Sequence, residues 1–199
     1  PYYRRHLASR PFDVLVEGLS GLAALGPEEP ATVELLSKVA AEGYDFAVLR
    51  TAVDALVELS ASRPEARTAA LLSLEFLDSV EVAEQDEESV AGWTETVVER
   101  LAATSAPEDH PTWVLVATGY APFEARERAV RWLGDLEPEL AVPALWQVAL
   151  HDEEGEARDL ALDRLRRTTG LDLDDYAQSD DLDSMHQGRA RLEAWLAKR

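Results

Sequence analysis

The feature that most constrains this chain is a short template that occurs twice. Arg126, Ala129, Val130, Leu133 and Leu136 are followed 32 positions later by Arg158, Ala161, Leu162 and Leu165, with the arginine three residues ahead of the alanine each time. Steps of three and four place apolar side chains on one helix face, so both copies predict amphipathic helices. Arg67, Ala70, Leu71, Leu74 and Leu77 form a partial third copy behind Pro64-Glu65, which reads as a helix start. Leu49, Ala52, Val53, Leu56 and Leu59 predict one more helix over 46–60.

Between the strong copies, Ala141, Ala144, Leu145, Val148 and Ala149 give a second helix over 140–150, with Pro143 placed in its first turn. Further helices are expected at 12–25, 31–41, 89–103, 111–119 and 184–198, for about 9–11 in all. Gly26-Pro27, Gly43, Pro64, Pro107, Pro122 and Pro138 mark the breaks. No period-two alternation is convincing. Val114-Leu115-Val116 is the best strand candidate and is read as helix. Paired helices repeating every 32 residues or so bury their apolar stripes only by stacking on neighbours, which predicts an all-α solenoid of helix hairpins.

Residues 122–145 carry a resemblance. Pro122-Phe123-Glu124-Ala125-Arg126, Ala129-Val130, Leu133-Gly134 and Val142-Pro143-Ala144-Leu145 resemble a unit of the HEAT repeat family, and the next unit repeats the pattern. Asp152 and Arg158 look like that family's Asp and Arg pair, which implies a structural tie between neighbouring repeats. Leu165-Arg166-Arg167-Thr168-Thr169-Gly170 and the helix carrying Trp195 are similar to its closing segments. Armadillo-like and other hairpin arrays share much of this pattern. The close resemblance covers 122–199. Around Arg126 the aligned acidic position is Tyr120, and around Arg67 it is Ala61, so the ladder of pairs is expected to break there.

The expected organisation is one HEAT-like helical-repeat domain over 1–199. It comprises degenerate hairpins at 12–78, an acidic insertion loop at 79–88, an irregular hairpin at 89–121, the clearest repeats at 122–170, and a polar connection with a capping helix at 171–199. At 199 residues the chain is long enough for a substantial core.

Charge narrows the partners. Thirty-nine acidic and 19 basic residues give a net charge of −20, with Lys38 and Lys198 the sole lysines. Such a body repels nucleic acid and anionic membranes. Its acidity reads as a solubility device or as adaptation to a salt-rich cytoplasm. Tyr2-Tyr3-Arg4-Arg5-His6 with Arg10 is the one basic patch, expected to pair with the acidic body or to join a preceding domain. No apolar run is long enough to span a bilayer, and the start has neither an initiator methionine nor a signal core, so the chain reads as a fragment or processed product. A soluble, cytoplasmic setting is favoured.

The search for chemistry returns little. Without cysteine there is no thiolate site, and His6, His110, His151 and His186 lack metal-ligand spacing. His151-Asp152-Glu153-Glu154 is a weak cation candidate. Asp172 to Asp183 imitates a calcium loop but has Tyr176 and Ala177 where a ligand and the turn glycine belong. Gly18-Leu19-Ser20-Gly21 matches no phosphate loop. No catalytic residue, metal or cofactor is assigned. Of the five tryptophans, Trp93, Trp113, Trp132, Trp146 and Trp195, core packing is the first reading; alternatively Trp146 and Gln147 form a partner-binding surface. The expected function is a non-enzymatic scaffold for a protein partner. Its rivals are an accessory domain of a larger enzyme such as a peptidase, positioning substrate without chemistry of its own, and a helical-repeat enzyme acting on a cofactor or base.

Overall fold

The computed structural model describes residues 30–41, 46–79, 87–119, 121–152, 155–177 and 181–199. Among these the protein is all-helical, 86% helix with no strand. The expected helix at 12–25, the basic patch at the start and Gly18 to Gly21 lie outside the described residues. The chain divides into two compact units, Pro1–Thr104 and Ser105–Arg199. The hairpin expected at 89–121 straddles that division.

In the first unit, α1 (Pro30–Ala41) and α3 (Pro64–Ser73) pack on α2 (Phe46–Ser60) and on each other, and α4 (Glu87–Thr104) packs on α2 and α3. The α2 stripe is the expected one: Leu49, Ala52, Val53, Leu56 and Leu59 are buried. At roughly 1.5–3 kcal/mol for each large apolar side chain taken from water, this stripe outweighs the intrinsic helix propensity of the sequence. Pro64 opens α3 from an extended Arg63, and Leu74–Ser79 continues it as a 3-10 helix. Of the acidic insertion expected at 79–88, Ser79 ends the 3-10 helix and Glu87 begins α4, while residues 80–86 lie outside the described ones.

In the second unit, a 3-10 turn (Pro107–Asp109) leads into α5 (His110–Thr118), followed by α6 (Phe123–Gly134), α7 (Pro138–His151), α8 (Glu156–Thr169), the single turn α9 (Asp174–Ala177) and α10 (Leu182–Leu196). Helix α6 packs on α5, α7 and α8, while α7 packs on α5, α8 and α10. The template residues Ala129, Val130, Leu133, Ala161, Leu162 and Leu165 all lie in the core. Gly170 ends α8 at φ 72°, a left-handed conformation natural to glycine, and its N–H closes on the Arg166 carbonyl at 2.8 Å.

One expectation is corrected in α7. The helix starts at Pro138, not near Leu140, so Pro138 occupies its first turn and Pro143 stands in its interior. Glu137 before it is extended, as a residue preceding proline tends to be, so the pair that reads as a break is the helix start. The helix runs on through Pro143 because Glu139, whose carbonyl loses its partner, lies on the exposed side with Pro143 and Gln147.

Candidate functional site

The template arginines are structural, and each finds different partners. Arg126 and Asp152 are buried together, with Nη1 3.1 Å from Oδ1, and Arg126 Nη2 lies 3.6 Å from the Glu156 carboxylate. Asp152 Oδ2 accepts the backbone N–H of Arg158 at 3.0 Å, while Arg158 Nη2 donates to the Asp152 main-chain carbonyl at 2.6 Å. Asp152 and Arg158 are thus brought together through main-chain groups, and the carboxylate–guanidinium pairing goes to Arg126. The ladder break expected at Arg126 is therefore corrected: its acid is Asp152 in the following turn. Arg67 is buried too, and Nη1 donates to the carbonyls of Ser60 at 3.3 Å and Thr104 at 2.8 Å. Those carbonyls end α2 and α4, where main-chain acceptors lack helical donors, so they take the place of an acid partner for the guanidinium.

The tryptophans separate into roles. Trp93 meets Phe46 edge-on at 5.4 Å and donates Nε1 to Asp54 at 2.9 Å. Trp113 is fully buried, stacks on Trp132 at 5.2 Å and donates to the Ser105 hydroxyl at 3.0 Å. Trp146 is 3% exposed. It sits against α10, where a Cβ on Gly188 would fall 2.7 Å from the indole and 2.9 Å from Cβ of Tyr176. Trp195 is half-buried under the Arg199 guanidinium.

Of the two residues expected on a partner-binding surface, Trp146 therefore reaches it only at its edge, while Gln147 is exposed. Two depressions flank α7 there. One, about 290 Å³, lies toward α5 and is lined by Val114, Leu140 and Ala144, with His110 and Glu139 at its rim. The other, about 150 Å³, lies toward α10 and is lined by Val142, Trp146, Leu192 and Leu196, with Arg189 and Glu193 beside it. Pro143 and Gln147 line both. Sequence reasoning missed Pro143 and Gly188 as determinants of this face. A proline six positions into an apolar helix, and a glycine inside the terminal one, were the available signals.

The cation candidates are engaged otherwise. Both Asp152 oxygens hold arginine groups, and Glu153 and Glu154 lie outside the described residues. Asp174 and Asp172 sit 2.8 and 3.5 Å from Arg166 Nη2, so the front of the calcium-like stretch ties α8 to α9. Among the described residues no group of His, Asp and Glu is arranged to hold a metal, and no helix is long and apolar enough to cross a membrane. In comparison with known proteins, no family model, no curated protein and no solved structure matches this chain.

Proposed function

We propose that this protein is a non-enzymatic interaction scaffold of stacked helix hairpins, similar in plan to HEAT repeats, whose partner is another protein. The observation that carries the reading is the exposed face of α7, with apolar depressions toward α5 on one side and α10 on the other. A row of helices offering shallow apolar recesses suits peptide or helix recognition, in which side chains of the partner drop between neighbouring helices. The 32-residue recurrence of the arginine template and the packing of α6 on α8 support the repeat plan.

The test is affinity capture with the full chain at low and high salt, followed by reconstitution with the purified captured protein. The reading expects one protein to be retained at high salt and to bind directly, with retention lost in Gln147→Arg. Turnover of a substrate by the isolated chain, or retention indifferent to Gln147, overturns it.

A further inference from the structure

We propose that the α7 face binds a partner segment in which an arginine or lysine is set among apolar side chains; this rests on the scaffold reading and adds the chemistry of the partner. Glu139, Pro143, Gln147 and His151, at steps of four, form the exposed stripe of α7, and the first three lie beside the two depressions. Pro143 has no N–H, so the Glu139 carbonyl lacks its i+4 helical donor. The Glu139 carboxylate forms no ion pair among the described residues. The stripe thus offers an exposed carboxylate and a side-chain amide as acceptors.

Apolar walls flank that row on both sides, so an occupant must carry donors and hydrocarbon together. A cationic side chain with an aliphatic stem does so, its head on the Glu139 carboxylate and its stem along the apolar walls. Charge points the same way. Arg189 and Glu193 neutralise each other at 2.8 Å, which leaves Glu139 as the unpaired carboxylate among the residues lining the two depressions, and the net −20 of the chain favours a cationic partner.

The experiment titrates the full chain with three amphipathic helical peptides. They share one leucine face and carry arginine, glutamine or glutamate on the other positions. Affinity is read by calorimetry and location by backbone amide shifts. The expected result is binding of the arginine peptide, with shifts gathered on Val114, Glu139 and Gln147. Glu139→Arg weakens it roughly tenfold, whereas Asp159→Arg, the same charge change on an exposed position of α8, does not. Circular dichroism confirms that both variants fold.

Equal weakening by the two variants, or shifts scattered over the surface, overturns the proposal in favour of diffuse attraction to an acidic body. Binding of the glutamine or glutamate peptide at the same residues as tightly as the arginine one overturns the cationic chemistry and leaves the scaffold reading standing. Absence of binding by all three overturns the proposed site, and capture of a protein partner then decides the scaffold reading separately.

Discussion

Asp152 Oδ1 lies 3.1 Å from Arg126 Nη1, and the two side chains, 26 positions apart, are 1% and 4% exposed. Removing one partner strands a buried charge. Asp152→Ala is expected to cost about 3–5 kcal/mol, while the double variant Arg126→Met, Asp152→Leu, which replaces the pair with apolar bulk, recovers a large part of that. Urea unfolding followed by far-UV circular dichroism measures both, and a double variant as unstable as the single one contradicts the buried-charge account.

Arg67 serves carbonyl ends instead of an acid. Arg67→Met keeps much of the stem but leaves the carbonyls of Ser60 and Thr104 without the guanidinium, at an expected cost of about 1–3 kcal/mol. Arg67→Lys recovers only part of it, since an ammonium can donate to both carbonyls but is the more strongly hydrated cation to bury and sits on a shorter stem. The same denaturation experiment reads the series.

Gly188 lets α10 approach the indole of Trp146. Gly188→Ala places a methyl where 2.7 Å is available, so α10 must shift, at about 1–3 kcal/mol despite alanine's better helix propensity. Amide exchange across 182–196 is expected to quicken in the variant, and unchanged protection there sinks the close-packing argument.

The α10 N-terminus supplies a pH dependence. Asp181 accepts the backbone N–H groups of Asp183 and Ser184 and the Ser184 hydroxyl, and these bonds, that to Asp183 foremost, hold its carboxyl below the usual aspartate value. A carboxyl whose pKa is lowered by folding stabilises the fold above its unfolded value, and that contribution is lost as pH falls through the folded one. Protection of the first turn of α10 should therefore decline on acidification below the ordinary aspartate range. Asp181→Asn, which keeps a cap without a titrating group, should flatten that decline.

The α-helical class was legible because burial writes a 3.6-residue period into sequence; the α2 stripe Leu49, Ala52, Val53, Leu56 and Leu59 is buried as read, while Ala55 and Val57, buried beside it, fall outside that pattern. Partner choice at the arginines was not. Asp152 stands six residues before Arg158 and 26 after Arg126, and only the packing of helices decides which guanidinium it holds. Pro143 misled for a related reason. Proline usually opens a helix, and its tolerance here depends on Glu139 lying on an exposed face, which no local pattern encodes. Trp146 and Gln147, neighbours in sequence, point to opposite environments because adjacent helix positions are turned about 100° apart.

The most direct measurement of the scaffold claim is photo-crosslinking in the native cell, with a benzophenone side chain placed at Gln147 on α7 and, as control, at Arg167 on α8. The account predicts one protein partner crosslinked from position 147 and not from 167. Crosslinking of that partner from 167 alone, or of no protein from 147, contradicts it.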